Sequence, residues 1–384
     1  ISPLALPYPG GGDEFLWFTV DFSYLLTLAL FLGVLLVFFA ATMLLFIPLG
    51  QATGREMAGH PPVPAYIANL LGSLAGIWVF AFLAYLQTPP AIWFGLAVLG
   101  LGVYLRSRQA LSSMYLAVAP ILVLALAFFG RDIIWSPYQR LDVSELHLPR
   151  NSDNAPVKVG YSLMVQQVFY QVALDLSEDF RAEWGAELPV LEDAAISYEL
   201  PYGFRPAGGR ILVVGAGMGN DVAAALRSDA GHVTAVEIDP AIAAIGRKLH
   251  PEHPYSDVRV EAVIDDARSY LERTTDLFDV IVFGYLDTHT MLSSLSSVRL
   301  DSFVYTLESF EQVRAHLAEG GVFALSFASG PAWIEQRLGQ MLAEVFGPER
   351  VFVRDAVMGV TFVVGSLPPE LAARHQVSPW PAAA

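Results

Sequence analysis

Two unlike patterns of apolar and polar positions divide this chain. In the first third, apolar residues run on without polar interruption. Phe22 to Gly54 carries no charged side chain, and LLTLALFLGVLLVFFAATMLLFIPL is longer than the roughly 20 apolar residues that cross a hydrocarbon core of about 30 Å. A second charge-free stretch, Pro61 to Leu105, is interrupted at Thr88-Pro89-Pro90. Proline breaks a helix and turns the residue before it toward extended backbone, so the stretch splits into spans at Ala65 to Gln87 and Ala91 to Leu105. The second of these, about 15 residues, suits a tilted or partly interfacial helix. Gln109 to Gly130 supplies a fourth span, with a kink expected at Pro120 of the kind a helix bundle tolerates. The small residues of Asn69 to Gly76 (NLLGSLAG) suit close helix packing. Residues 1–130 therefore read as a transmembrane domain of about four helices.

Beyond Arg131 the pattern shortens. IIWSPYQRLDVSELHL and APVKVGYSLMVQQVFYQ consist of short β-rich runs with polar punctuation, which predicts a small β-rich subdomain over 131–202. Over 203–370 strands alternate with helices. The strands are RILVV (Arg210 to Val214), HVTAVEI, VRVEAVI, FDVIVF and GVFALSF; the helices fall at Asp221 to Ser228, Pro240 to Leu249 and Leu307 to Leu317. VFVRDAVMGVTFVVG reads as a closing hairpin, and 371–384 as a tail. Such alternation predicts a mainly parallel α/β sheet covered by helices, with ligands at the carboxyl ends of its strands.

Composition sharpens this division. The chain has 384 residues, is 54% hydrophobic and 16% charged, and contains no cysteine, which excludes a disulfide scaffold, a cysteine-ligated metal site and a disordered chain. Residues 1–130 hold three basic residues (Arg55, Arg106, Arg108) and four acidic ones (Asp13, Glu14, Asp21, Glu56), so the remainder carries a net charge of −15. That acidity argues against a nucleic-acid partner. A cleaved signal peptide does not explain the apolar runs, because residues 1–20 lack a basic segment and four spans are too many. A chain that begins with Ile1 is expected to be a processed product or part of a longer membrane protein. Four spans place both ends on one side, and the three arginines fall in loops on the other, so the positive-inside rule favours a C-terminal domain outside the cytoplasm.

The candidate chemistry lies at consecutive strand ends. Gly215-Ala216-Gly217-Met218-Gly219-Asn220 follows the first strand and opens a helix, where glycines allow a sharp turn and close approach to a ligand. Glu237, 22 residues after Gly215 at the end of the second strand, is placed to take two ribose hydroxyls. Asp265-Asp266-Ala267, past the third strand, offers a carboxylate to an adenine amine and a backbone N–H to a ring nitrogen. The third glycine of a dinucleotide fingerprint would fall at Asn220, and no basic residue stands near the loop for a pyrophosphate. A nucleoside joined to a sulfonium amino acid fits this spacing better than NAD. His250, Glu252 and His253 lie in LHPEHPY, where Pro251 and Pro254 prevent the helical spacing of a zinc motif, so a structured turn is expected and no metal site.

In order and spacing, SPYQRLDV, RILVVGAGMGNDVAAALR, VTAVEIDP, DVRVEAVIDDARSYL, FDVIVFGYLDTH and FVYTLESFEQVRAHLAEGGVF resemble the spermidine synthase family of polyamine aminopropyltransferases, relatives of S-adenosylmethionine-dependent methyltransferases. The resemblance covers roughly half the chain, and is greatest to members with a multi-spanning membrane segment. It implies a small β subdomain, a Rossmann-like domain of the methyltransferase type, S-adenosylmethionine or its decarboxylated form as donor, and an amine or other nucleophile as acceptor. The acidity suits a polyamine or other cationic acceptor and also simple solubility.

The departures from the family concern catalysis. The loop acid that holds the donor's ammonium is replaced by Met218. The base at the end of the fourth strand is replaced by Gly284, whereas Asp287 matches the second, substrate-holding acid. The acidic and aromatic run before the glycine loop has no clear counterpart in SLMVQQVFYQ. Two residues are the catalytic candidates: His289 acts as a base near neutral pH if Asp287 orients it, or Asp287 caps a helix and His289 lies on a polar loop. Arg299 and Asp301 are expected to form a structural ion pair. Gln166, Gln167 and Tyr170 either line an acceptor site or sit on a strand surface. Two functions follow: a transferase in the plasma (inner) membrane, in contact with lipid, that moves an aminopropyl or methyl group, or a catalytically degenerate structural or regulatory subunit of a membrane complex. A homodimer is left open. The donor is cytoplasmic, and on that ground the soluble domain is placed in the cytoplasm against the vote of the arginines.

Overall fold

In most of the C-terminal part strands alternate with helices, and a glycine run before one helix and capping aspartates before the next two turn the chain from strand to helix. The structure, a computed structural model, describes residues 25–205, 207–286, 303–327, 332–356 and 359–380. It comprises two compact units, Ile1–Arg131 and Asp132–Ala384.

In the first unit four helices follow one another: α1 (Leu25–Ala58), α2 (Pro62–Tyr85), α3 (Pro90–Ser107) and α4 (Ser113–Phe129). Pro62 and Pro90 open their helices, where the missing N–H costs nothing, and the Ser112 hydroxyl caps α4 by accepting from the Tyr115 N–H at 3.1 Å. The fourth helix starts later than expected because Gln109 adopts left-handed backbone, φ 55°, and ends the preceding turn. Three of the helices are long and apolar enough to cross a membrane; α4, at 17 residues, is shorter. Their large side chains face outward: Leu36, Trp78 and Phe129 are 67%, 69% and 79% exposed, and α2 and α3 bury none. Polar contacts gather at the ends, where the Tyr104 hydroxyl donates to Glu56 at 3.1 Å and Arg108 pairs with the same carboxylate.

The second unit contains two sheets. The smaller is an antiparallel meander of β1 (Ile134–Trp135), β2 (Arg140–Pro149), β3 (Pro156–Val165) and β4 (Val168–Leu174). Gln166 and Gln167, at φ 51° and 68°, form the two-residue turn between β3 and β4. The expected β-rich subdomain is only half strand. After the meander come helices α5 (Glu178–Trp184) and α6 (Val190–Glu199), whose Leu191 and Ala195 pack with Val159 and Leu176 in a separate core. Apolar spacing of three and four residues, not two, explains the difference.

The larger sheet contains β5 (Arg210–Val214), β6 (His232–Glu237), β7 (Val260–Ile264), β8 (Phe278–Gly284), β9 (Leu317–Phe327), β10 (Val351–Ala356), β11 (Gly359–Val364) and β12 (Ser378–Pro379). Between them run α7 (Asn220–Arg227), α8 (Pro240–Leu249), α9 (Ala267–Arg273), α10 (Leu307–Ala315), α11 (Ala332–Phe346) and α12 (Pro369–Arg374). The spatial order is β12-β10-β11-β9-β8-β5-β6-β7. From β7 to β9 all pairings are parallel, and the expected hairpin of β10 and β11 joins antiparallel beyond them. The expected tail is not free: Val377 is buried beside Phe204, and β12 pairs with β10, because 371–380 alternates apolar anchors with turn residues.

β5 lies between β6 and β8, so chain connections leave it in opposite directions and open a crevice at its carboxyl end. Phe283, fully buried at the end of β8, packs edge-on against Phe323 of β9, with ring centroids 5.0 Å apart. That contact fixes the strand end that carries Gly284. Truncation in Phe283→Ala is expected to remove about 3–5 kcal/mol of stability, read as a lowered thermal midpoint of the purified chain.

Candidate active site

The crevice is a cavity of about 140 Å³ lined from both sheets. Gly215 and Gly217 hold φ of 69° and 55°, conformations that side chains resist, and both are also crowded. A Cβ on Gly215 would stand 3.0 Å from the Leu286 Cγ, and one on Gly217 3.2 Å from the Gln171 carboxamide carbon. Gly219, at φ 112°, precedes α7 and lies under Pro254 and Tyr255, whose hydroxyl donates to the Gly217 carbonyl at 2.7 Å. The loop is thus clamped from outside and open only to the cavity.

Glu237 lines the cavity at the end of β6. It accepts the Gly217 N–H and the Asp239 N–H, each at 2.8 Å. Burial pushes its carboxyl up to about 7 in spite of these two bonds, which favour the charged form. Each oxygen keeps a second lone pair for a hydroxyl. Asp265, Asp266 and Ala267 line the same wall. Asp265 is engaged with Arg273 and with the Asp266 N–H. Asp266 caps α9 through Oδ1, which accepts the Ser269 N–H at 2.9 Å, and so keeps Oδ2 for a ligand. Ala267 opens α9, so its N–H has no carbonyl within the helix to serve.

On the other side of β5, the structure brings in residues that sequence reasoning missed. Asn220 uses every position of its amide. Oδ1 accepts from the Leu174 N–H at 3.0 Å and from His250 Nε2–H at 3.1 Å, while Nδ2 donates to the Val172 carbonyl and the Tyr198 hydroxyl, both at 3.0 Å. The Glu252 N–H donates to His250 Nδ1, which fixes this tautomer, and burial drives the imidazole down to about 3, so it stays neutral. The LHPEHPY segment is a structured turn: Glu252 pairs with Arg227 at 2.6 Å, and His253 takes left-handed backbone before a short 3-10 turn.

Met218 is fully buried among Leu163, Ile242 and Ile245 and does not line the cavity. Its N–H donates to Gln171 Oε1 at 3.2 Å, and Gln171, Tyr170 and Phe169 of β4 form one wall. Of the three acceptor-site candidates only Tyr170 lines the cavity; Gln166 and Gln167 are used by the turn. Tyr198, Asp221, Gly284 and Tyr285 complete this side, the two tyrosine rings meeting edge-on at 6.4 Å. Asp287, His289, Arg299 and Asp301 lie outside the described residues. Among the described residues no cluster of metal-binding side chains occurs.

The strand order, the glycine loop and the acids at successive strand ends define a Rossmann-like domain of the S-adenosylmethionine-dependent methyltransferase type. Residues 197–348 match the profile of the spermine/spermidine synthase domain. Among curated relatives, a polyamine aminopropyltransferase of Synechococcus sp. is 32% identical over 179 residues, 45% of this chain and 54% of the relative. Polyamine aminopropyltransferase 2 of Ralstonia nicotianae is 25% identical over 285 residues, 69% of this chain and 49% of the relative. That of Korarchaeum cryptofilum is 29% identical over 116 residues, 29% of this chain and 33% of the relative. The chain thus spans between a third and just over half of the length of these relatives. Spermidine synthase from Thermotoga maritima superposes with a TM-score of 0.44 at 17% identity, over 65% of this chain and 80% of that one.

Because Asn220 serves four partners, Asn220→Ala strands a buried imidazole N–H and two backbone groups. Each stranded group costs about 1–3 kcal/mol, so the variant is expected to lose more stability than Phe283→Ala, measured by the same thermal midpoint.

Proposed function

We propose that the chain is a membrane-anchored aminopropyltransferase whose donor is decarboxylated S-adenosylmethionine and whose acceptor is an amine. The observation that carries this reading is the charge of the cavity. Asp221, Glu237, Asp265 and Asp266 line it, and among the described lining residues there is no lysine, arginine or histidine. Such a cavity attracts cations and disfavours a substrate carboxylate. The decarboxylated donor carries a sulfonium and an ammonium and no carboxylate, and a polyamine acceptor is likewise cationic. The intact donor, which would supply a methyl group, brings a carboxylate that nothing in the described wall neutralises.

In this reading Glu237 takes the ribose hydroxyls, while Asp266 Oδ2 and the Ala267 N–H take the adenine edge. Phe169, Tyr170, Tyr198 and Tyr285 surround the acceptor, since aromatic faces attract ammonium groups. The match of residues 197–348 to the spermine/spermidine synthase profile and the likeness to polyamine aminopropyltransferases support the same class of reaction. The outward-facing apolar side chains of α1 to α4 support a lipid environment, because leaving each such residue in water forgoes about 1.5–3 kcal/mol. The need for a cytoplasmic donor supports a cytoplasmic soluble unit.

Calorimetry on the detergent-solubilised chain tests the donor. Decarboxylated S-adenosylmethionine is expected to bind at least about tenfold more tightly than the intact form, a difference of roughly 1.4 kcal/mol. Tighter binding of the intact form would favour methyl transfer, and binding of neither would favour a structural subunit.

Sidedness has its own test. The chain has no cysteine, so Glu349→Cys, on a side chain 72% exposed, introduces a single thiol. A membrane-impermeant maleimide is expected to label it only after cells are broken; labelling in intact cells would put the unit outside, as the three loop arginines favour.

A further inference from the structure

We propose that Asp221 is the general base of this site and stands in for the carboxylate missing at Gly284. The proposal rests on the aminopropyl-transfer reading and adds to it the group that receives the proton.

The two residues share one space. Gly284 ends β8 and Asp221 lies in the first turn of α7, across the mouth of β5. A Cβ on Gly284 would stand 2.7 Å from the Asp221 carboxyl carbon and 2.9 Å from its Oδ1. The Asp221 carboxylate therefore fills the volume that a side chain on Gly284 would enter, and both residues line the cavity. The backbone of Gly284 is not in the left-handed region, so space alone, and not conformation, keeps a side chain out.

The surroundings of Asp221 are those of a proton acceptor and not of a structural ion. Its negative charge acts on Tyr198, Tyr202 and Tyr255, each raised first by burial and then by nearby carboxylates, and Tyr202 donates to the Asp221 backbone carbonyl at 2.9 Å. Glu237 lies in the same cavity. The neighbouring cation, Arg227, is paired with Glu199 and Glu252, and His250 is neutral. Burial raises the Asp221 carboxyl to about 7, and the group that opposes this is its own backbone N–H. A carboxylate at a helix N-terminus gains some dipole stabilisation, which accounts for its place in α7 but not for its opening onto the cavity.

The chemistry balances without a further reactant. Asp221 takes a proton from the acceptor's ammonium to give a neutral amine and a carboxylic acid. The amine lone pair forms a C–N bond to the aminopropyl carbon next to sulfur, the C–S bond breaks, and its electrons pass to sulfur. The sulfonium becomes the neutral thioether of methylthioadenosine, the product amine carries the positive charge, and the acid later returns its proton to water.

The test measures methylthioadenosine release by the full chain in detergent, with decarboxylated S-adenosylmethionine and putrescine, cadaverine or spermidine, across pH 5.5 to 9. Wild-type rates at subsaturating donor and acceptor are expected to fall as pH drops through about 7, where the base of the free enzyme becomes protonated. Asp221→Asn is expected to lose about 100-fold in rate at saturating donor, and that acid limb, while calorimetric donor binding, weakened by the lost charge but still measurable, certifies the fold. In Asp221→Ala/Gly284→Asp the vacated space accepts the new side chain, and the expected result is recovery of at least tenfold over Asp221→Ala alone. If wild type turns over and Asp221→Asn keeps its rate or its acid limb, Asp221 is not the base. If the double variant binds donor and recovers nothing, the shared-volume argument is overturned. If wild type releases no methylthioadenosine with any of these amines, the aminopropyl reading falls and the role of Asp221 with it.

Discussion

One side chain holds the cavity together. Asn220 spends both lone pairs and both amide protons on four different neighbours: two strand positions of β4, the Tyr198 hydroxyl and His250. These bonds fix the small meander and α6 against the start of α7, so the walls from Phe169 to Val172 and at Tyr198 stand opposite the ends of β5 and β8. A dinucleotide fingerprint has glycine at this position and so has no side chain to make such a joint. Buried polar groups of this kind contribute little net energy while all are satisfied, but each is expensive to orphan. The neutrality of His250 belongs to the same arrangement: its Nδ1 must accept from Glu252 for its Nε2–H to reach Asn220.

Much of the fold was readable because it depends on local pattern. Gly215, Gly217 and Gly219 announced a turn, and all three carry the positive φ that explains their identity. The alternation of β-branched runs with helices sufficed for the parallel sheet, and Glu237 followed from its distance to the glycine loop. The residues that were missed act across the structure. Asp221 reads in sequence as an ordinary acid in a first helical turn, and nothing local says that Gly284, 63 positions later, leaves room for it. Gln171 reads as the polar partner in a strand, yet it receives the Met218 N–H. Gln166 and Gln167 misled because glutamine is an uncommon choice for a two-residue hairpin turn, where asparagine and glycine carry the signal. α6 was hidden for the reverse reason: ten residues seen beside a run of strands give too little periodicity to separate helix from strand.

The departures at Met218 and Gly284 look like two independent losses in sequence and become one rearrangement in space. Met218 turns away from the cavity and packs with Leu163, Ile242 and Ile245, extending the apolar joint between the meander and α8. Of the two acids missing at that loop position and at the end of β8, one has a counterpart in a carboxylate on α7 that opens on the same cavity.

Such an arrangement makes ionisation depend on occupancy. Two carboxyls raised to about 7 by burial, Asp221 and Glu237, sit in a cavity with no basic side chain among its described walls. Burial favours the neutral form of each, which reduces the cost of burying two full charges. A cation in the cavity reverses this, because an opposite charge within about 4–6 Å favours the ionised carboxylate by one to three pKa units. A sulfonium donor would thereby ionise the group that must accept a proton from the amine, and an ammonium acceptor would strengthen the effect. A base that its substrates ionise needs no arginine to hold it charged; the sulfonium loses its charge as the C–S bond breaks, whereas an arginine would keep the carboxyl's proton affinity low throughout. The absence of a cation from the described wall, which first pointed to cationic substrates, is in this reading also what tunes the base.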